Sequence, residues 1–294
     1  IEPNEEHQLE FPDWENVNVK ESFDNRQQLL EELLLADFEK PFPFENARKK
    51  PYWHIQIVKP QDNVYVMRVA NVTNVTITDE HLLSQKYADY RNCLVIIDNR
   101  PGIQRIAIEQ KTMAFSHTKT VANILEASFC KLLKCKLLKV KLSAVYGTNV
   151  FWETLGKYPK GFSKVTFHFP HLNLDRLTKV MDKYLTTARE DWDSDLDFTF
   201  GANEGGAVKI DRHNQRQTAL IAGASGAGAW IKMLPKGEKG KAILCGKDQY
   251  VVRELDSEVF NDLAIGAQPL PGMGQSAMDK VKVFMKDMPD VFTH

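Results

Sequence analysis

The chain lacks the long apolar runs and the cysteine pairs that mark membrane proteins and disulfide-stabilised secreted proteins. None of its 294 residues fall in an uninterrupted apolar run of about 18 residues, so the sequence predicts no membrane span. Its four cysteines, Cys93, Cys130, Cys135 and Cys245, form no CxxC pair, and three lie in apolar segments. We therefore expect reduced thiols, no zinc site and a cytoplasmic location. No signal-like apolar segment follows Ile1, which agrees with that expectation.

Several catalytic motifs are also missing. The chain has no HExxH zinc motif and no GxSxG nucleophile elbow. The glycine spacing of residues 223–228 is that of a Walker A loop, but Ala229 and Trp230 stand where that loop needs Lys and then Ser or Thr. Without the lysine and the hydroxyl, the loop loses its main phosphate charge and its magnesium ligand. The pattern therefore argues against NTP hydrolysis and favours a tight turn.

The composition is that of a globular protein, but the charges are unevenly spread. Hydrophobic residues make up 43% and charged residues 26% of the chain, which is enough apolar material for one large domain or two medium ones. Residues 1–40 hold twelve acidic and three basic side chains, a formal charge of −9. Residues 41–150 hold sixteen basic and eight acidic side chains, a formal charge of +8. Such blocks indicate a basic surface and an acidic segment that covers it or faces a partner.

Hydrophobic periodicity predicts an α+β fold, with an antiparallel meander sheet and packed helices followed by a second, smaller α+β region. We divide the chain into an acidic N-terminal segment with a short helix (1–40), an α+β domain with the basic region (41–190) and a C-terminal α+β domain (191–294). A polar connection is expected between the hairpin 52–70 and the next strand at Cys93. The predicted strands are 52–58, 63–70, 93–97, 103–108, 137–146, 162–169, 196–202, 207–210, 230–234, 241–244 and 250–255. The predicted helices are 26–38, 118–133, 148–157, 172–190, 212–222, 259–265 and 278–288.

Basic side chains are frequent from the second predicted hairpin to residue 164, and they are the candidates for phosphate contacts. Lys139 and Lys141 alternate with apolar residues, so they project from one strand face. If the basic side chains converge, they form a patch that touches several phosphates of a polyanion. The expected nucleic-acid-binding residues are Arg100, Arg105, Lys131, Lys134, Lys139, Lys141, Lys157, Lys160 and Lys164.

A second interpretation is a metal-dependent nuclease. Glu109-Gln110-Lys111 is an acid-x-lysine pattern on a strand, in which the acid binds magnesium with a second carboxylate and the lysine stabilises the attacking species. Asp98 lies at the turn end of the hairpin, too far from Glu109. Pairing about a turn near residue 100 places Asn92 opposite Glu109, which makes Asp89 the better second acid. The catalytic set of this alternative is Asp89, Glu109 and Lys111, with magnesium as the cofactor.

The order of elements in residues 52–142 resembles the Rex A family of phage-exclusion sensor proteins from lambdoid phages and related antiphage proteins. The meander Tyr52–Ala70 leads to the apolar strand Leu94-Val95-Ile96-Ile97 and to a turn from Asp98 to Gly102. A returning strand and a polar stretch then precede a helix that includes Lys119–Leu125. The resemblance covers about a third of the chain and implies DNA binding, self-association and a role in phage defence. It supplies no site residues, and the C-terminal half lies outside it.

The sequence therefore favours a cytoplasmic, non-enzymatic protein that binds nucleic acid, with duplex DNA as the expected partner and phage defence as its expected role. We expect no cofactor for this function, and we expect a homo-oligomer. The nuclease is the first alternative. The second is a protein-interaction subunit of a defence complex, in which the basic surface faces an acidic segment of another copy or of a second defence protein.

Overall fold

The computed structural model describes residues 2–3, 25–101, 103–169, 196–226, 229–238, 241–246, 254–255, 259 and 273–286. The protein folds as two compact units, one made of Ile1–Leu142 and Leu255–Asp287 and the other of Ser143–Glu254 and Met288–His294. Helices and antiparallel sheets occur together in the protein, which confirms the α+β class. The domain boundaries drawn from composition, near residues 40 and 190, stay predictions, and the second falls outside the described residues.

The described strands and helices follow the predicted order closely. The strands are β1 (Glu2–Pro3), β2 (Phe44–Glu45), β3 (Pro51–Gln56), β4 (Val64–Thr78), β5 (Ser84–Asp98), β6 (Arg105–Ile108), β7 (Leu138–Lys139), β8 (Phe162–Phe169), β9 (Leu196–Gly201), β10 (Trp230–Pro235) and β11 (Ile243–Cys245). The helices are α1 (Arg26–Glu39), α2 (Thr118–Leu133), α3 (Thr148–Gly156), α4 (Gln215–Gly226) and α5 (Met273–Lys286). The predicted helix 172–190 and most of the segments 250–255 and 259–265 lie outside the described residues.

The first unit is built on a five-stranded antiparallel sheet in the order β2-β3-β4-β5-β6, which confirms the predicted meander. One face of this sheet forms a core with α1 and α2, because alternate residues of each strand and one stripe of each helix are apolar. The α2 stripe consists of Val121, Ile124, Leu125 and Phe129, all at most 2% exposed. This core includes Leu34, Tyr65, Met67, Val69, Cys93, Val95 and Ile97.

The hairpin of β4 and β5 is longer than the sequence predicted. Its strands pair over their whole length without a register shift, from Val64 opposite Asp98 to Thr78 opposite Ser84. Residues 64–70 and 92–98, which we call the inner half, are mostly buried. Residues 71–91, which we call the outer arm, are mostly exposed. The expected polar connection after Ala70 is therefore wrong, because its Asn- and Thr-rich residues continue both strands.

A buried polar cluster connects α1 with β3. His54 Nε2 donates to Asp37 Oδ1 over 2.7 Å, and Gln56 Nε2 donates to Asp37 Oδ2 over 2.9 Å. The backbone N–H of Phe42 also donates to Asp37 Oδ1. Burial raises the pKa of Asp37, but the hydrogen bonds from His54 and Gln56 outweigh it and leave the pKa below its usual value. The carboxylate is therefore held charged in the interior by three donors.

The second unit contains a four-stranded antiparallel sheet in the order β11-β10-β8-β9. One face packs on α3 and α4 through residues such as Phe151, Phe162, Phe167, Ile221 and Ile231. The helical hydrogen bonds of α4 continue to Gly226, so the first glycines of the segment 223–228 belong to a helix and the predicted turn there is wrong. Two other expectations are also wrong, because 207–210 forms no strand and the predicted strand 137–146 shrinks to β7.

Candidate nucleic-acid interface

The nine basic residues that the sequence singled out divide between the two units. Arg100, Arg105, Lys131, Lys134, Lys139 and Lys141 belong to the first unit. Lys157, Lys160 and Lys164 belong to the second. Some of these side chains reach solvent, and some already have an acidic or backbone partner.

The two arginines are committed to the interior of the first unit. The Arg100 guanidinium donates to both oxygens of Asp98, whose carboxylate is fully buried, and also to the backbone carbonyl of Lys282. The hydrogen bonds to Asp98 raise the pKa of Arg100 further. Arg105 is 9% exposed and lies opposite Asp98 in the β5–β6 pair. Both arginines therefore stabilise the fold at the end of the sheet and offer little to an external phosphate.

The lysines of the first unit have unequal exposure. Lys131, in the last turn of α2, is exposed but its Nζ lies 2.8 Å from Glu45 Oε1. Lys134 and Lys139 are half-buried, the first in a 3-10 turn after α2 and the second in β7. Lys141 is exposed. The backbone turns from helix to strand within this segment, so its lysines do not form one continuous row.

The acidic N-terminal segment meets this region at one described point. β1 pairs with β7 in an antiparallel bridge that places the backbone of Glu2 opposite that of Lys139. The rest of the acidic segment before Asn25 lies outside the described residues.

A denser group of lysines surrounds one end of the second sheet, where β8 begins and β10 ends. Lys157 and Lys160 lie in the turn that joins α3 to β8, and Lys164 follows on β8; all three are exposed. The N–H of Lys236 donates to the C=O of Gly161, which brings the turn after β10 beside this one. That turn also carries Lys241. We call Lys157, Lys160, Lys164, Lys236 and Lys241 the lysine corner.

Lys241 of the lysine corner is positioned by an aromatic ring and one acidic side chain. Lys241 Nζ lies 5.5 Å from the centre of the Tyr158 ring and 2.8 Å from Glu238 Oε2. Hydrogen bonds to Glu238 and then to Tyr158 raise the pKa of Lys241, so it carries its charge at neutral pH. The Tyr158 ring in turn packs on Phe162 at a centroid distance of 5.4 Å. Glu238 thus neutralises only one of the five lysines among the contacts that the structure describes.

The sheet face beside the lysine corner is polar and partly open. Strand alternation places Lys164, Thr166 and His168 of β8 on the face opposite the core, with Trp230 and Lys232 of β10 beside them. Lys232 is exposed and lies opposite Thr166. The rings of His168 and Trp230 stack at a centroid distance of 4.6 Å. His168 Nδ1 also forms a 2.6 Å hydrogen bond with Asp197 on the neighbouring strand.

Three lysines of this surface were missed by sequence reasoning. Lys232, Lys236 and Lys241 lie about seventy residues after Lys164, and only the antiparallel pairing of β8 with β10 brings them together. The signal in the sequence was the run of lysines and glycines from residue 236 to 241, which indicates a turn but not its neighbours. The residues that sequence reasoning did place here are Lys157, Lys160 and Lys164.

The nuclease residues do not form a shared site. Glu109 lies opposite Leu94, not Asn92, and its Oε2 accepts a 2.7 Å hydrogen bond from the Leu94 N–H. Asp89 is five residues farther along β5, a separation of about 17 Å, and forms an ion pair with Arg91. One metal ion needs its ligands at about 2.0–2.6 Å, so Asp89 and Glu109 cannot hold it together. Lys111, which is exposed, follows Glu109 beyond the end of β6.

Elsewhere among the described residues, the structure has no cluster of metal-binding side chains and no membrane-spanning helix. In the ranges that the structure describes, no three His, Cys, Asp or Glu side chains are grouped so as to hold a metal ion. Over the same ranges, no helix has the length and the apolar character needed to cross a bilayer. No protein-family model, curated protein or solved structure matches this sequence.

Proposed function

We propose that this protein binds nucleic acid, with duplex DNA as the expected partner, through the lysine corner of its second unit. The observation that carries the proposal is the grouping of Lys157, Lys160 and Lys164 with Lys236 and Lys241 around two adjacent turns, with Glu238 as the acidic partner. Four of these five lysines are exposed and Lys236 is half-buried. Such a group of ammonium charges is suited to the phosphate backbone, whose negative charges follow one another at short intervals.

Phosphate contacts, not base contacts, are the expected mode of binding. Lysine is a flexible point charge that attracts phosphate without reading a base edge. The Trp230 ring beside Lys232 is half-buried and already stacked on His168, so its main role is packing. The affinity should therefore depend steeply on salt and weakly on sequence.

The remaining elements of the proposal come from the sequence. The resemblance to the Rex A family supports a role in bacterial phage defence and self-association of the protein, and it leaves room for a second defence protein as partner. The four free cysteines, two of them buried, support a cytoplasmic location. The proposed activity needs no cofactor.

Retardation of a plain duplex by the purified protein at two salt concentrations tests the proposal. The parent protein should bind at about 50 mM salt and lose most of its affinity at about 200 mM, because bound counterions are released from each neutralised phosphate. Replacing Lys157, Lys160 and Lys164 together with Ala should lower the slope of log affinity against log salt by about 2–3. The thermal melt should barely change, because all three side chains are exposed.

The first unit supplies the matched control. Replacing Lys131, Lys139 and Lys141 with Ala removes the same number of charges, and the affinity should change much less. Full binding by the Lys157/Lys160/Lys164 variant would overturn the assignment to the lysine corner. Absence of binding by the parent protein at low salt would overturn nucleic-acid binding itself, and would favour the interpretation as a protein-interaction subunit.

A further inference from the structure

The outer arm has strand edges that no other strand covers in the part of the protein that the structure describes. β3 pairs with β4 only as far as Ala70, and β6 pairs with β5 only as far as Val95. At the next position of β5, Leu94 is bound by Glu109. From there to the turn at residues 79–83, no strand among the described residues pairs with the outer edge of β5, and an open edge is a template for a further strand.

The hydrogen bonds at Leu94 show which β5 residues face its open edge. The N–H of Leu94 donates to Glu109 Oε2 over 2.7 Å, and its C=O accepts from the Glu109 N–H over 2.8 Å. Both backbone groups of Leu94 therefore point away from β4. This direction alternates along an antiparallel strand, and β5 has no register shift against β4. The residues that face the open edge in the same way are Ser84, Lys86, Ala88, Tyr90 and Asn92.

We propose that a second copy of this protein pairs with this edge, with the two β5 strands antiparallel about a two-fold axis at Ala88. The five outward-facing residues are centred on Ala88, so a two-fold axis there pairs every one of them. Ser84 then faces Asn92 of the second copy, and Lys86 faces Tyr90. Their N–H and C=O groups form up to about ten backbone hydrogen bonds, which join the two hairpins into one continuous sheet. The Tyr90 C=O already accepts a 3.0 Å hydrogen bond from Asn92 Nδ2, so it binds the second copy through its other lone pair.

Neighbouring registers fit less well. An axis at Lys86 sets two ammonium groups against each other, and like charges directly opposite are destabilising. An axis at Tyr87 places Asn92 opposite a residue of the 79–83 turn. The turn residue is not extended, so the backbone groups of Asn92 are left unpaired. An axis at Asp89 opposes two carboxylates, and an axis at Tyr90 drives the second copy into Glu109 and β6, which occupy that edge.

The side chains around Ala88 are compatible with the proposed register. Ala88 meets its own copy on the axis with only a methyl group. On one face Lys86 meets the ring of Tyr90, and on the other Asp89 meets the hydroxyl of Tyr87, so no like charges are opposed. Tyr87 and Tyr90 are 50% and 49% exposed in the single copy, and pairing covers part of both rings.

This inference rests on the self-association proposed above and is independent of nucleic-acid binding. The first measurement is the mass of the protein in solution without DNA, by light scattering after gel filtration at micromolar concentrations. The parent protein should have twice the mass of one copy. Binding of DNA is scored separately by retardation, so failure of the edge pairing and failure of the lysine corner give different results.

Ala88→Pro is the variant that should separate the two copies. Ala88 lies opposite Asn74, and its N–H points away from β4, so proline removes an intermolecular donor without breaking the hairpin. We expect the mass to fall to that of one copy, with dimer affinity at least about tenfold weaker. Asn74→Pro is the matched control, since it changes the same cross-strand pair on the opposite edge and should remain dimeric.

A cysteine at the axis tests the register without relying on proline. Two residues that face each other in a hydrogen-bonded antiparallel pair have Cα atoms about 5.5 Å apart, within the range of a disulfide. Ala88→Cys should therefore give a covalent dimer under mild oxidation. The exposed Cys135 is first replaced by Ser, and Asn74→Cys in the same background should give no such dimer.

Loss of the dimer in Ala88→Pro alone, with a disulfide at residue 88 alone, supports the proposal. A parent protein that remains monomeric at about 100 µM overturns it, because backbone pairing over five residues gives measurable association. A dimer that survives Ala88→Pro and yields no disulfide at residue 88 also overturns it, since the copies then meet elsewhere. If both proline variants are monomeric, absence of the disulfide at residue 88 overturns it.

Discussion

The inner half and the outer arm of the β4–β5 hairpin belong to the same two strands but have opposite surroundings. Pairing continues through both with one register. In the inner half Ile97 is 3% exposed and packs in the core of the first unit, whereas Ile77 in the outer arm is 56% exposed. The comparison shows that strand pairing does not by itself bury side chains, because burial needs helices or a second layer on the sheet face.

Acidic side chains are buried beside the inner half and exposed in the outer arm. Next to the inner half, Asp37 accepts three hydrogen bonds in the interior and His54 is stacked on Phe44 at a centroid distance of 3.5 Å. In the outer arm the ion pair of Asp89 and Arg91 is about 40% exposed at each side chain. A buried charge depends on its partners far more than a solvated one does.

The largest expected difference in stability is between an isoleucine-to-alanine substitution in the inner half and the same substitution in the outer arm. Ile97→Ala leaves a cavity in the core and should lower the free energy of unfolding by about 3 kcal/mol. Ile77→Ala should change it by less than about 0.5 kcal/mol, because that side chain is largely solvated. Urea unfolding of both variants at low protein concentration measures the difference. Equal losses would contradict the exposure of the outer arm.

The next largest difference in stability is expected between substitutions of the buried Asp37 and the exposed Asp89. Asp37→Ala leaves His54 without its acceptor and Gln56 Nε2 with only the Leu34 C=O, and should lower the free energy of unfolding by about 3 kcal/mol. Asp89→Ala breaks an exposed pair and should cost less than about 1 kcal/mol. The same unfolding experiment distinguishes them. A small loss at Asp37 would mean that water replaces its donors and that the cluster is not buried in solution.

The Asp37 carboxylate also predicts a pH dependence with a definite sign. Its pKa is lower in the folded state than in the unfolded state, where it is about 3.9. Its stabilisation is therefore complete above the unfolded-state pKa and is lost as the pH falls through the folded-state value. The difference in unfolding free energy between the parent and Asp37→Asn should shrink as the pH falls below the unfolded-state pKa of about 3.9. A constant difference would contradict the lowered pKa.

The smallest expected change in stability concerns the turns that precede and follow β4. The inner turn places Asp62 and Asn63 at positive φ, a region that Asp and Asn tolerate, whereas the outer turn places Leu82 there at φ 60°. Leu82 is also 83% exposed. Leu82→Asn should raise the free energy of unfolding by about 0.5–1 kcal/mol, measured by thermal and urea unfolding. A loss of stability would show that the leucine side chain has a packing partner in solution.

The positions of helices and strands were predicted correctly where apolar residues recur at a single regular spacing. The α2 helix was predicted at 118–133 and β8 at 162–169, and both bounds are confirmed, since apolar residues recur there at helical and strand spacing. The outer arm was missed because polar residues lie on both of its faces, mostly Asn and Thr in β4, and leave no regular apolar alternation to detect. Its strand character comes from continued pairing with the inner half, which a local window cannot show.

The candidate site was predicted only in part for a related reason. Exposed lysines are visible in a sequence, but the neighbours of each depend on pairing between distant segments. Lys164 and Lys232 share a sheet face because β8 pairs with β10, and Arg100 is withdrawn from solvent because a buried carboxylate lies two residues before it. Asp89 and Glu109 of the acid-x-lysine alternative lie apart because a difference of two residues in hairpin register places Glu109 opposite Leu94 and not Asn92.

By itself, the sequence determined the α+β class, most strand and helix positions and the surplus of basic side chains, because these depend on local periodicity and composition. Only the tertiary structure decided which basic side chains are accessible to a partner, which acids are buried, and where a strand edge is left open. Those properties depend on which segments become neighbours, and neighbours are chosen by the burial of apolar surface over the whole protein.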